Sequence, residues 1–157
     1  MAKTMYLISP APDFPSYFNS EVFEHNSGRP VASVVNLALP TVAALAPDDF
    51  GVILCDESTG PIDFDLPVDF VGITGNISQW ARTREVAREF RERGRVVLIG
   101  GPQATLRAES VRPHCDVLVR GELEEIAKVP LETATQETVE GTICGPVRIQ
   151  IEGFRSI

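Results

Sequence analysis

Five short runs in this chain are apolar with almost no alternation, and that limits the folds open to it. They are Thr4 to Ser9, Gly51 to Cys55, Asp69 to Thr74, Arg95 to Ile99 and Asp116 to Val119. A strand with one wet face alternates apolar and polar residues, whereas a strand covered on both faces does not. Runs of this length, bounded by Pro, Gly or Asp, read as strands of a parallel sheet. Two helices are expected between them. Leu39 to Leu45 forms a short one, with Pro40 in its first turn and Pro47 beyond its end. A longer one opens at Ser78, a residue type suited to an N-cap, and runs to Arg93 before Gly94.

Strand and helix in turn imply an α/β fold: a doubly wound, flavodoxin- or Rossmann-like domain with a mostly parallel five-stranded sheet. We place it at residues 1–131. Residues 132–157 hold a polar linker and an extra C-terminal strand, Pro146 to Phe154, which alternates with period two. Val147, Ile149 and Ile151 fall on one face and Arg148, Gln150 and Glu152 on the other. Such a strand suits a sheet edge or a subunit interface, so a homo-oligomer is expected. The long segment from Pro10 to Pro30 carries Phe14, Tyr17, Phe18 and Phe23, and reads as a packed functional loop.

Charge and composition exclude several classes. The 157 residues carry a net charge of −8, the wrong sign for displacing phosphate counterions from nucleic acid. The one basic cluster, Arg82 to Arg95, is interleaved with Glu85, Glu89 and Glu92, as on a solvated helix face. The longest apolar stretch, Val31 to Pro47, is broken by Ser33, Asn36, Pro40 and Thr41, so no membrane span is expected. No signal-type segment precedes the first strand, and Cys55, Cys115 and Cys144 are scattered, which suits reduced thiols in the cytoplasm. No cysteine spacing fits an iron–sulfur cluster. His114, Cys115 and Asp116 are adjacent and cannot all face one ion. Asp56 and Glu57 read as a solvated loop. No nucleophile–base arrangement is legible, so no catalytic residue is assigned.

In an open parallel sheet, ligands lie beyond the carboxyl ends of the strands. Glycines gather there. The third strand ends in Gly72-Ile73-Thr74-Gly75-Asn76-Ile77-Ser78, the fourth in Gly100-Gly101-Pro102 and the fifth in Gly121-Glu122. Glycine lets a ligand approach the backbone, and free amides at a helix start favour an anionic group.

The stretch from Leu39 to Glu125 resembles the cobalamin-binding domain that precedes the catalytic barrel in cobalamin-dependent radical S-adenosylmethionine enzymes. The likeness rests on Leu39-Pro40-Thr41-Val42-Ala43-Ala44-Leu45, on Asp69-Phe70-Val71-Gly72-Ile73-Thr74, on Val97 through Gly100-Gly101-Pro102-Gln103-Ala104-Thr105, and on Asp116 through Arg120-Gly121-Glu122. The resemblance implies a cobalamin or other corrinoid ligand and a radical S-adenosylmethionine protein as partner. It implies small polar contacts to the cofactor from Thr74, Gly75, Asn76 and Ser78. Close backbone approach falls to Gly100, Gly101 and Pro102, and contact near the nucleotide tail to Gly121 and Glu122.

Three departures shape that expectation. The DxHxxG motif of cobalamin proteins, whose histidine ligates cobalt, has no counterpart: His25-Asn26-Ser27-Gly28 supplies the histidine, but Phe23 stands where the aspartate belongs. A corrinoid is therefore expected without a histidine on cobalt. The cluster cysteines and barrel are absent, and residues 126–157 do not resemble a barrel linker. A stand-alone relative, a ligand-free regulatory remnant and a fragment or subunit of a radical S-adenosylmethionine methyltransferase or cyclase all stay open.

Overall fold

The computed structural model describes residues 3–13, 37–46, 50–121, 139–142 and 146–149. Strands β1 (Lys3–Ser9), β2 (Phe50–Asp56), β3 (Phe70–Thr74), β4 (Val96–Gly100) and β5 (Val117–Leu118) form one sheet, with helix α1 (Ala38–Ala44) between β1 and β2. All four pairings are parallel, and the order across the sheet is β2-β1-β3-β4-β5. That is the flavodoxin-type doubly wound order.

Register explains the core. Tyr6 pairs with Val71 and Val71 with Val97, while Ile8, Ile73, Ile99 and Leu118 align one pleat further on. Aligned partners share a face, so these residues form two apolar rows across the sheet. All seven are buried. Helix α2 (Trp80–Glu92) lays Val86, Ala87 and Phe90 on the rows, and each is fully enclosed. Phe90 meets Tyr6 edge-on at 6.1 Å and Phe64 at 5.1 Å between ring centres. Ala104, Ala108 and Val111 extend the same cluster. They come from two short helices, α3 (Pro102–Leu106) and α4 (Ala108–Val111), which the sequence pattern did not anticipate.

Helix α2 ends where its sequence says it should. Gly94 takes φ +73°, its amide donates to Arg91 O at 2.9 Å, and the Arg95 amide donates to Phe90 O at 3.0 Å. This is a Schellman closure, which needs a left-handed residue after the helix. Its start differs from expectation. A 3-10 turn, Ile77–Gln79, precedes α2, and Asn76 rather than Ser78 caps it.

The C-terminal expectation is met in part. Strand β7 (Pro146–Ile149) forms, but it pairs antiparallel with β6 (Val139–Thr142) in a separate two-stranded sheet. The aromatic segment at 14–23 and His25 lie outside the described residues. No described helix is long and apolar enough to cross a membrane.

A buried phenol and a half-buried thiol tie stability to alkaline pH. Burial, and then the Cys55 side chain, raise the Tyr6 phenol from 10.0 to about 12. Burial, with Asp116 beside it, pushes the Cys115 thiol from 9.0 to about 11. Both protons are held more tightly when folded, so their stabilisation is complete below the unfolded values and lost as pH rises through the folded ones. Thermal midpoints measured against pH should fall between pH 9 and 12. Cys115→Ala should flatten the fall between 9 and 11, and Tyr6→Phe that between 10 and 12.

Candidate functional site

The chain leaves β1 toward β2 in one direction and β3 toward β4 in the other, so the switch in strand order lies between β1 and β3. Ligand crevices of doubly wound sheets open there, at the carboxyl ends. The residues bordering it are Ser9 to Asp13 after β1, Asp56 and Glu57 after β2, and Thr74 to Gln79 after β3.

These segments are laced together by polar contacts. Gln79 donates through Nε2 to Pro10 O at 2.5 Å and Ser9 Oγ at 3.3 Å. The Asp13 carboxylate accepts from the Ala81 amide at 2.7 Å and the Arg82 amide at 2.8 Å. Glu57 accepts from the Ala11 amide at 2.8 Å and holds Arg82 at 2.6 Å. With only 14% of its side chain exposed, Glu57 is a structural anchor and not the solvated loop carboxylate expected. It keeps the Arg82 guanidinium firmly in its charged form, chiefly through their hydrogen bonds. Asp56 accepts from the Ser58 amide at 3.0 Å and shapes the turn after β2.

The amides at the start of α2 are consequently not all free for an anion. Asn76 Oδ1 accepts from the Ser78 amide at 2.8 Å and from Ser78 Oγ at 2.6 Å. Gln79 Oε1 returns the bond to the Asn76 amide at 3.0 Å, completing a capping box. Asp13 supplies the negative charge that the helix dipole favours at this end.

The glycine turns are packed against one another. A Cβ on Gly101 would lie 2.9 Å from Thr74 Oγ1 and 3.3 Å from Gly75, and the residue sits at φ +91°. The space that a Cβ would take there is occupied by the neighbouring turn. A Cβ on Gly75 would meet Thr83 Oγ1 at 2.9 Å, and one on Gly100 would touch Val119 at 3.4 Å. Thr105 Oγ1 donates to Gly101 O at 3.1 Å and accepts from the Gly121 amide at 3.0 Å, fastening the turn after β5 to that after β4. Thr74, Gly75, Gly100, Gly101, Pro102 and Gly121 thus belong to one rim. Asn76 and Ser78 stand on it as capping groups, and Glu122 lies outside the described residues.

Sequence reasoning missed Asp13, Glu57, Arg82 and Gln79 as the groups that fix this rim. Thr105 had a signal, because it closes the Gly100 to Thr105 run. The other four form contacts 25 to 70 residues apart, and no local pattern announces those. Elsewhere, Asp116 accepts from the Val97 amide at 2.9 Å and from Arg91 at 3.2 Å. Among the described residues no group of three His, Cys, Asp or Glu could hold a metal ion, and Cys55 and Cys115 are free thiols.

This packing has a measurable consequence. Gly101→Ala should lower stability by roughly 1–3 kcal/mol through overpacking, with added strain from the positive φ. Asp13→Ala should cost about 1 kcal/mol, as loss of a helix cap does. Chemical denaturation of the two variants checks both, and an unchanged Gly101→Ala midpoint would show that the space beside Thr74 is open.

Comparison with known proteins gives two matches of partial extent. Over 92 residues the chain is 34% identical to bacteriochlorophyllide d C-8(2)-methyltransferase of Chlorobaculum tepidum, which covers 58% of this chain and 20% of that protein. Over 93 residues it is 33% identical to the C-12(1)-methyltransferase of the same organism, covering 57% and 20%. No protein-family model and no solved structure matches. The chain therefore spans about a fifth of the length of these curated relatives and is similar to one segment of them.

Proposed function

We propose that this chain is a corrinoid-binding module, with cobalamin as its ligand, that serves a methyltransferase of the radical S-adenosylmethionine class and carries no catalytic residue of its own. The observation that carries this reading is the likeness to a segment of two bacteriochlorophyllide methyltransferases. It is supported by a five-stranded sheet in the 2-1-3-4-5 order, a fold that takes ligands beyond the carboxyl ends of its strands, the end at which the glycine turns lie.

The rim suits a wide, flat ligand laid over the turns better than one inserted between them. Asn76 is exposed there, and Ile77 is 70% exposed, an apolar surface at the mouth of the crevice. Gly100, Gly101 and Gly121 keep the adjoining backbone low, while Thr74, Gly75, Asn76, Ser78 and Pro102 border it, with Glu122 following. Thr105, Gln79 and Glu57 hold these turns in place without a ligand, so binding would need little rearrangement. A bound corrinoid would supply the cobalt centre for methyl transfer. His114 precedes β5 and packs edge-on against Trp80 at 5.5 Å, away from the turns, so cobalt ligation by this histidine is not part of the proposal.

One observation favours a second reading, a regulatory or interaction domain that keeps the fold without the ligand. The α2 amides are satisfied by Asp13 and Asn76, as they would be in a domain with no cofactor to bind.

Mixing the purified protein with hydroxocobalamin, followed by gel filtration, separates the two. The first reading expects visible absorbance to travel with the protein, with a spectrum unchanged by His25→Ala. Protein emerging colourless would establish the second reading. A His25→Ala shift in the cobalt bands would show histidine ligation instead.

A further inference from the structure

Strand β2 is one edge of the parallel sheet, and the opposite edge, β5, is only two residues long. Shortness is one way that proteins blunt an edge; proline, lysine and bulges are others. Strand β2 uses none of them. Its seven residues run in unbroken register along β1 and carry no charge before Asp56. Ile53 is 40% exposed and Leu54 47%. They lie on opposite faces, Ile53 aligned with Tyr6 and Leu54 with Leu7, so this edge leaves apolar surface in solvent on both sides.

The hydrogen bonds at the end of β2 show which backbone groups point outward. The Glu57 amide donates to Ser9 O at 2.9 Å, toward β1, whereas Asp56 O turns away and accepts from the Thr59 and Gly60 amides at 2.9 and 3.2 Å. Backbone groups along a strand point alternately to one side and the other, so Gly51, Ile53 and Cys55 bond β1. The amides and carbonyls of Val52 and Leu54 therefore face out, without a strand beside them among the described residues.

We infer that β2 pairs antiparallel with β2 of a second copy, about a two-fold axis at Ile53, joining the two sheets into one. Opposed residues of an antiparallel pair that point at one another exchange two hydrogen bonds. In this register Val52 meets the partner's Leu54, and Leu54 the partner's Val52, each with its free N–H and C=O. Ile53 meets the partner's Ile53 in the closer pairing without hydrogen bonds, apolar against apolar. Charge selects the direction. Lys3 is exposed, aligned with Phe50, and in no ion pair among the described residues; its ammonium lies over the Phe50 ring at 6.0 Å. Asp56 closes the other end of β2. An antiparallel copy sets the partner's Asp56 beside Phe50, on the face that carries Lys3 and two strand spacings or roughly 10 Å from it, within the combined reach of the two side chains. Symmetry repeats this contact at the other end, whereas a parallel copy would set like charges together. The two rims then point to opposite ends of the joined sheet, so the inference stands apart from the corrinoid reading.

Sedimentation velocity on the full chain tests this, over roughly 1–500 µM because a single strand pair is a small interface. A reversible monomer–dimer equilibrium is expected. Ile53→Lys sets two ammonium groups face to face on the axis and should leave the chain monomeric, with its circular dichroism unchanged. Lys3→Glu should weaken the dimer roughly tenfold, since two ion pairs give way to two like-charge contacts, while Lys3→Arg retains it. Ile53→Cys gives a readout that survives if the lysine variant misfolds. Opposed Cα atoms in a pair of this kind lie about 4.5 Å apart, within disulfide range. Mild oxidation should link two Ile53→Cys chains through position 53 of each, as peptide mapping would show, while Leu54→Cys, offset from its own copy, should link poorly. A monomer across the whole range, a dimer that survives a folded Ile53→Lys, or equal linking of the two cysteine variants would each overturn the inference.

Discussion

Parallel register is the constraint on which the rest of this molecule depends. Tyr6, Val71 and Val97 line up across three strands, and Ile8, Ile73, Ile99 and Leu118 across four. A slip of one residue in any strand would turn its members of both rows to the other face. Helix α2 would then lose the surface that receives Val86, Ala87 and Phe90. Because the rows fix α2, they also fix Trp80 at its start and Gly94 past its end, and hence the rim.

At the carboxyl ends the stabilising chemistry changes from apolar packing to hydrogen bonding. Loops there cannot bury their amides without partners. The chain supplies those partners from side chains: Asp13, Gln79, Glu57 and Thr105. Their bonds cross from β1 to β3, from β2 to α2, and from β4 to β5. The result is a rim whose shape is set by the chain's own side chains, with Ile77 and Asn76 exposed on it.

Much of the fold was legible because apolar runs mark the strands, each observed within one or two residues of its expected bounds, although edge strand β2 leaves Ile53 and Leu54 exposed rather than covered on both faces. The helix end at Gly94 was legible for a local reason, the left-handed conformation it adopts. Helices α3 and α4 were not, since five and four residues carry too little periodicity to register. Strand β6 was missed for the same reason, with Gly141 inside a four-residue run. The site divides in the same way. Its glycines mark themselves, but Ser78 was chosen as the cap on residue type alone, while the caps in place are Asn76, two residues earlier, and Asp13, brought back by the path of β1. Arg82 looked like part of a solvated charge ladder because its partner Glu57 lies 25 residues upstream.

Asp13 gives the start of α2 a resident competitor. Its carboxylate is tethered to the helix amides by the chain itself, so it acts at an effective concentration of the millimolar order typical of short flexible linkers. Any phosphate or carboxylate arriving from solution must outbid that local supply before it reaches the Ala81 and Arg82 amides. This end of the helix is therefore shielded by the chain's own carboxylate, and a dilute anion in solution would meet Asp13 already in the place it would take.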